Sequence, residues 1–201
     1  MATLTAVPAP AATTLRTANP GPLGLLGFGL TTCVLSAINA GMLPHEAVAA
    51  VVPLAFAFGG VAQIIAGVLE FRVGNTFGTI AFTSYGLFWW WFALLQWSVG
   101  AGWLKAPPAS AIATILLFWG VLTAGLWMVS FRLSKAVFSI FLLLTVTFFL
   151  LALGDFGFGT GKLGGILGLV TGADAMLVAF LEVLNAVAGR TVVPLGDPII
   201  S

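Results

Sequence analysis

Charged residues are scarce in this sequence, and their scarcity excludes a water-soluble globular protein. Only 6% of the 201 residues are charged and 60% are hydrophobic, and the mean hydropathy is +1.15. A soluble domain carries about 25% charged residues. Because this chain cannot cover a water-facing surface with so few charges, the composition predicts an all-α membrane protein that crosses the bilayer several times.

Residues that bind metals or attack substrates are also few. The single Cys33 excludes an intrachain disulfide and any metal site built from several cysteines, and the single His45 excludes the usual zinc sets. A net charge of +1 gives no reason to expect a nucleic-acid partner. A hydrolase needs a nucleophile–base pair or metal ligands, so we expect neither an enzyme nor a bound cofactor or metal.

Long apolar runs predict six membrane-spanning helices. A spanning helix needs about 20 mostly apolar residues. The stretches that qualify are 22–41, 47–70, 77–99, 109–130, 136–153 and 163–187. Their links are short, which favours an antiparallel bundle over 19–189. Residues 1–18 lack the apolar core of a signal peptide and predict a disordered tail, and 190–201 predict a short C-terminal tail.

The basic residues predict how the bundle is oriented. In a six-helix topology, five of the seven lysines and arginines fall on the side of the termini. These are Arg16, Arg72, Arg132, Lys135 and Arg190, against Lys105 and Lys162 on the other side. Since basic loops stay on the cytoplasmic side, both termini are expected in the cytoplasm.

Hydrogen-bonding side chains recur on one face of each of the first three spans, because positions 4, 7 and 11 apart share a helical face. The stripes are Phe28, Thr32, Leu35 and Asn39; Phe56, Gly59, Gln63, Gly67 and Glu70; and Gly78, Tyr85, Trp89, Phe92 and Gln96. Polar groups are costly in lipid unless they face a partner or a water-filled path. Interhelical hydrogen bonding and the wall of a path for a small polar solute both explain such stripes, and three consecutive ones favour the path.

The second and third spans are joined by a short polar turn, so they must lie side by side. Thr83 adds a hydroxyl to this pair. No lysine or arginine falls in the middle of any span, which argues against tight anion capture and favours the weak binding of a channel or a low-affinity carrier. The candidate polar contacts of the path are Thr32, Asn39, Gln63, Thr83 and Asp174.

The last span combines an acidic residue with a stripe of glycines. A charge at Asp174, near the middle of the span, costs a few kcal/mol in lipid, so we expect it to face a polar path or a buried partner. Gly164, Gly168 and Gly172 are four residues apart. Such a stripe predicts a close helix contact, within a subunit or between subunits.

Three long motifs give the sequence a family resemblance. They are NPGPLGL from Asn19, FGGVAQIIAGVLEFRVGNTFGTIAFTSYGLFW from Phe58, and LEVLNAVAGRTVVPLGD from Leu181. Together they resemble the acetate uptake transporter family, which includes bacterial succinate–acetate permeases and fungal relatives associated with acetate and ammonia export. The motif residues that we single out are Asn19, Pro20, Pro22, Gly24, Glu70 and Asn75. Two positions depart from the family pattern: Gly21, where alanine is usual, and Asp174, where an uncharged residue is expected.

The resemblance implies a six-helix bundle with one pore per protomer, assembled as a ring-shaped homohexamer in the lipid bilayer. It also implies a hydrophobic constriction, placed by motif at Phe28, Tyr85 and Leu144. Two of these residues already lie on the polar stripes, whereas Leu144 comes from the resemblance alone.

The function that the resemblance implies is transport of acetate across the plasma membrane, which in a bacterium is the inner membrane. Succinate and other short carboxylates are further expected substrates. The alternative is a channel for a neutral small solute such as urea or ammonia, because the hexameric amide and urea channels are similar in size and architecture. Uptake of labelled acetate, compared with labelled urea, separates the two.

Overall fold

Six long helices make up most of residues 17–200, the part of the chain that the computed structural model describes. They are α1 Gly21–Asn39, α2 His45–Arg72, α3 Thr76–Gly100, α4 Ala109–Ser130, α5 Lys135–Phe158 and α6 Gly161–Ala188. Within the described residues there is no strand, and the predicted all-helical membrane fold is confirmed. Most of the predicted tail, residues 1–16, lies outside the described range.

Five of the six helices, all but α3, meet a simple length and hydropathy criterion for crossing a membrane. Helix α3 has 25 residues, which is long enough to span. Its tryptophans, hydroxyl side chains and Gln96 lower its mean hydropathy. Of these residues, Tyr85, Trp89 and Gln96 belong to its path-facing stripe, whereas others such as Thr83 lie off it.

Helix α1 is the central helix of the bundle, because 11 of its 19 residues are buried, compared with 7 of the 25 in α3 and with 28–39% of the apolar stretches in the other four spans. Its main neighbour is α6. A Cβ added to Gly29 would lie 2.6 Å from the carbonyl oxygen of Gly172, and one added to Gly168 would overlap Ser36. Two glycines of the predicted stripe, Gly168 and Gly172, therefore bring α6 against α1 within one protomer, whereas Gly164 packs on Leu151 of α5.

Helix α2 contains a π-helical segment, Ala55–Ala62, that shifts the register of its faces. Pro53 lies just before this segment and has no N–H to donate to the helix. Phe56, predicted to share a stripe with Gln63, instead points outward at 39% exposure and stacks on Trp90. The prediction for Phe56 was wrong because it assumed 3.6 residues per turn throughout, whereas π-turns are wider.

The described part of the C-terminal tail is tied to the bundle. Asn185 donates to the carbonyl oxygen of Val193 (2.8 Å) and accepts from the N–H groups of Val192 (2.7 Å) and Val193 (3.0 Å). Farther along, the Ala136 N–H donates to the Leu195 carbonyl oxygen at 3.0 Å. The tail thereby contacts the first turn of α5.

Candidate permeation path

Two cavities lie toward opposite ends of the bundle. One of about 270 Å³ lies at the end where α1 and α3 begin, and another of about 190 Å³ lies at the end where they finish. We call the first the glutamate-side cavity, after Glu70 and Glu182 in its wall, and the second the aspartate-side cavity, after Asp155. The π-helical turn Gly154–Phe158 at the end of α5 carries Asp155.

Three residues line both cavities, and they are Phe28 of α1, Tyr85 of α3 and Leu144 of α5. All three are buried, with 6%, 3% and 4% of their surface exposed. The ring centroids of Phe28 and Tyr85 lie 5.9 Å apart. The partition between the cavities is therefore apolar except for one phenolic hydroxyl.

The hydroxyl of Tyr85 is held by a residue that the sequence reasoning missed. It lies 2.9 Å from the Oγ1 atom of Thr123 on α4, and Thr123 is fully buried. The Thr123 hydroxyl donates its single hydrogen to the Trp119 carbonyl oxygen at 2.7 Å. Tyr85 must therefore be the donor to Thr123, and its oxygen can only accept a hydrogen bond from a passing solute. The contact joins positions 38 residues apart, so no local pattern indicates it.

Helix caps crowd the mouth of the glutamate-side cavity, because the odd-numbered helices all begin there. Asn19 accepts from the Gly21 N–H at 3.0 Å, Asn75 accepts from the Gly78 N–H at 3.1 Å, and Ser134 caps α5. All three capping residues line this cavity. Side-chain oxygens at helix starts satisfy backbone donors that have no partner inside the helix.

The two glutamates of this cavity are each bonded to one of these asparagines. Asn75 donates to Glu70 Oε2 at 2.9 Å, and Asn19 donates to Glu182 Oε2 at 3.0 Å. Each asparagine thus uses its oxygen on a helix start and its amide on a carboxylate. This arrangement gives the motif residues Asn19, Glu70 and Asn75 a shared place at one mouth of the path.

The other motif residues shape α1. Pro20 and Pro22 lie at its start, where a missing N–H costs nothing. Gly24 packs so closely on Phe82 that an added Cβ would overlap the ring. At Gly21, an added Cβ would lie 3.1 Å from Asn19 Oδ1 and 3.1 Å from Glu182 Oε2. The departure from the family pattern at Gly21 therefore leaves space between the polar groups of the mouth.

Three of the predicted polar contacts line a cavity. Gln63, fully buried, lines the glutamate-side cavity, and Thr32 and Asn39 line the aspartate-side cavity. Gln63 donates its side-chain N–H to the Gly59 carbonyl oxygen at 2.7 Å, in the π-helical segment of α2. Its Oε1 atom, the hydroxyl of Thr32 and the indole N–H of Trp89 are buried without a hydrogen-bond partner among the described residues.

The other two predicted contacts, Thr83 and Asp174, line neither cavity. Thr83 packs against Gly67 of α2. Asp174 accepts a hydrogen bond at 2.8 Å from the hydroxyl of Ser139 on α5. The structure thus gives Asp174 a partner in the neighbouring helix.

The charges of the path are all negative. No lysine, arginine or histidine is among the residues that line the two cavities, whereas Glu70, Glu182 and Asp155 are. Between residues 17 and 200, no group of three or more His, Cys, Asp or Glu side chains could hold a metal ion. A carboxylate that enters this path meets other carboxylates and no compensating cation.

The model of the GPR1/FUN34/yaaH family matches residues 2–195 of this sequence. The chain belongs to the GPR1/FUN34/yaaH family. Among its relatives, the succinate-acetate/proton symporter SatP of Escherichia coli K12 is 39% identical over 184 residues, which cover 90% of this chain and 97% of SatP. Acetate permease A of Emericella nidulans is 38% identical over 189 residues, 86% of this chain and 61% of the permease.

A solved structure, described as that of the bacterial acetate channel SatP, has the same fold. The TM-score is 0.85 at 39% sequence identity, and the match covers 90% of this chain and 100% of that one. The family resemblance read from the motifs is therefore confirmed, and with it a GPR1/FUN34/yaaH membrane protein that crosses the bilayer several times.

Proposed function

We propose that this chain forms a membrane pore that conducts acetate, with succinate and other short carboxylates as further substrates. The observation that carries the proposal is the placement of Phe28, Tyr85 and Leu144, which form the partition between two cavities at opposite ends of the bundle. Two relatives support it, because SatP is a succinate-acetate/proton symporter and permease A is an acetate permease.

Phe28, Tyr85 and Leu144 form the constriction of this pore and select substrates by size. Removing water from a carboxylate is costly where no cation replaces the lost hydrogen bonds. A wide, wet pore would avoid that cost and lose selectivity, whereas a narrow apolar ring admits only a small solute. Thr32 and Asn39 on one side and Gln63 on the other are the polar contacts of the solute. The pore performs transport and no covalent chemistry.

The pore assembles as a ring-shaped homohexamer in the plasma membrane, with both termini in the cytoplasm. Apolar side chains on the outer face of α6, such as Leu177 (56% exposed) and Phe180 (60% exposed), suit contact with lipid or with a second protomer. The end of the bundle that carries the glutamate-side cavity also carries Arg72 and Lys135, as the positive-inside rule requires of a cytoplasmic face. Native mass spectrometry and reporter fusions at both termini test these two statements.

Uptake into liposomes tests the function itself. Purified protein is reconstituted and supplied with labelled acetate or labelled urea, beside protein-free liposomes that measure leakage through the lipid. We expect protein-dependent uptake of acetate and none of urea. Urea uptake without acetate uptake would replace this proposal with the channel for a neutral solute.

A further inference from the structure

The π-helical segment of α2, Ala55–Ala62, is contacted by one side chain of α3 that lines neither cavity, the half-buried Trp90. The indole N–H of Trp90 donates to the carbonyl oxygen of Phe56 at 3.1 Å. The indole also stacks on the Phe56 ring, with centroids 5.1 Å apart and planes 3° apart. A Cβ added to Gly60 would overlap the same indole. Trp90 thus contacts the segment through a hydrogen bond, a ring stack and close packing on its backbone.

The neighbouring tryptophan packs on the other glycine of the segment. A Cβ added to Gly59 would lie 2.8 Å from the indole of Trp89 and 2.9 Å from the side chain of Thr31 on α1. Trp89 lines the aspartate-side cavity, whereas Trp90 does not. The two tryptophans therefore straddle the pair Gly59 and Gly60, and the backbone of the segment is packed on both sides.

This backbone in turn orients Gln63, which is fully buried and lines the glutamate-side cavity. Gln63 donates one side-chain N–H to the Gly59 carbonyl oxygen at 2.7 Å, and its Oε1 has no donor among the described residues. A side-chain amide has two N–H donors and one acceptor oxygen. The amide therefore keeps one N–H for a carboxylate in the cavity and its oxygen for a water molecule that hydrates the carboxylate.

The position of Gln63 in the cavity wall depends on the π-helical register of the segment before it. Successive residues of an α-helix are about 100° apart around the axis. If the segment lost its wider turns, the residues after it would rotate relative to those before it. The outward direction of Phe56 shows the size of this effect, because regular α-helical turns would place it on the face of Gln63.

We propose that Trp90 is a positioning residue for acetate, which keeps the segment in its π-helical register and so keeps the amide of Gln63 in the cavity wall. The proposal rests on the acetate pore proposed above and adds a residue that the solute does not contact. Trp90 acts through the backbone, since Gly60, on which it packs, adjoins Gly59, which accepts from Gln63. In lipid, no water replaces the bond to Phe56 once it is lost.

Hydrogen–deuterium exchange of the purified protein tests the effect of Trp90 on the segment without a transport assay. Trp90→Phe keeps an aromatic ring beside Phe56 and removes the indole N–H. Loss of one hydrogen bond should make the backbone amides of Ala55–Ala62 exchange at least about twofold faster. Trp97→Phe alters a tryptophan of the same helix that is 54% exposed and lines neither cavity, and it should leave this exchange unchanged. Unchanged exchange in Trp90→Phe would overturn the proposal.

The concentration dependence of acetate uptake into liposomes tests the link to Gln63. Gln63→Met keeps the length of the side chain and removes the amide, so KM should rise about fivefold while the maximal rate stays the same. Trp90→Phe should raise KM by at least about twofold, and by no more than Gln63→Met does. A merely structural role would lower the maximal rate, because fewer pores are folded, and leave KM unchanged.

The double variant tests whether Trp90 acts through Gln63. In that case Trp90→Phe adds nothing to the KM of Gln63→Met, because the amide that it positions is already gone. Trp97→Phe should keep the wild-type KM. The proposal would be overturned by a KM in the double variant that multiplies the two single effects. A wild-type KM would also overturn it, in either single variant that elutes as the wild type does in size-exclusion chromatography.

The two measurements separate this inference from the function on which it rests. A wild type that takes up no acetate, although Trp90→Phe still speeds exchange in the segment, would overturn the acetate pore and with it the role of Trp90 in uptake. A wild type that takes up acetate with the same KM as Trp90→Phe would overturn the positioning role alone.

Discussion

Tyr85 on α3 donates its hydroxyl hydrogen to Thr123 on α4 across 2.9 Å, in the partition between the two cavities. The bond is buried at both ends, since Tyr85 is 3% exposed and Thr123 fully buried. The bond fixes the ring of Tyr85 against Phe28. Its acceptor, Thr123, lines neither cavity. The proposed constriction therefore depends on a fourth residue that the solute does not meet.

Loss of the hydrogen bond between Tyr85 and Thr123 should slow the uptake of acetate. Tyr85→Phe keeps the ring and the size limit, and Thr123→Val keeps the shape of the threonine, but each removes the same hydrogen bond. A net hydrogen bond is worth about 1 kcal/mol, so each variant should transport roughly fivefold more slowly. The double variant should be no slower than Tyr85→Phe, because the bond to Thr123 can be lost only once.

A matched control for this pair is Thr114→Val, which alters an exposed threonine of the same helix that lines neither cavity. Uptake of labelled acetate at equal amounts of reconstituted protein measures all four variants. Wild-type rates in both Tyr85→Phe and Thr123→Val would show that the bond does not support permeation.

Leu144→Ala should widen the proposed constriction and admit bulkier acids. One methylene group in an apolar pocket changes discrimination by at least about tenfold, and we expect the uptake of lactate relative to acetate to rise by at least that factor. Leu143→Ala removes the same atoms from a neighbouring position that lines neither cavity. Both changes destabilise by about 2–5 kcal/mol if the site is buried, so uptake is compared only for folded, membrane-inserted protein. An unchanged ratio in Leu144→Ala would place the constriction elsewhere.

Gly168→Leu should separate α6 from α1. An added side chain would overlap Ser36 in the tight contact between these helices, and overpacking costs about 1–3 kcal/mol or more. The variant should unfold at a lower temperature than the wild type in the same detergent. Gly125→Leu is the control, since no atom lies within 4 Å of a Cβ added to that glycine of α4. Equal thermal stability of the two variants would contradict the packing role of the stripe.

Asp174→Asn should leave acetate uptake and its pH profile unchanged. The side chain lies outside the lining of both cavities, and an asparagine oxygen can still accept the hydrogen bond from Ser139. Asp174→Leu removes that acceptor and should lower the free energy of unfolding by about 1 kcal/mol or more. The measurement is acetate uptake between pH 5 and pH 8. A shifted pH profile in Asp174→Asn would show that Asp174 takes part in permeation.

The helices and their path-facing sides could be predicted because both depend on local periodicity. Apolar length places the spans: the predicted 77–99 corresponds to Thr76–Gly100. The stripe on α1 was found by counting at 100° per residue, and its four members, Phe28, Thr32, Leu35 and Asn39, all line the aspartate-side cavity. A helix without a break carries the same face from one end to the other.

What the sequence did not reveal depends on tertiary contacts or on broken periodicity. The π-helical segment of α2 changed the direction of Phe56, and only its neighbour Pro53 was a local sign of it. Thr123 gains its role from a helix 38 residues away, and Glu182 meets Asn19 across 163 residues. Leu144 was placed by the family motif, since no polar stripe marks its helix. Pairings at such separations leave no trace in a single sequence.

The close contact between α1 and α6 has a consequence for how the protein is made. At about 5–20 residues per second, synthesis of the chain between these helices leaves α1 in the bilayer for several seconds or longer before its main partner exists. In the first part of that interval, before α2 has been made, its hydroxyl groups have no neighbouring helix to bind. Thr31 meets this difficulty within α1 itself, because its hydroxyl donates to the Gly27 carbonyl oxygen at 2.8 Å. At Thr31, the central helix thus satisfies its own hydroxyl group before any neighbouring helix is in place.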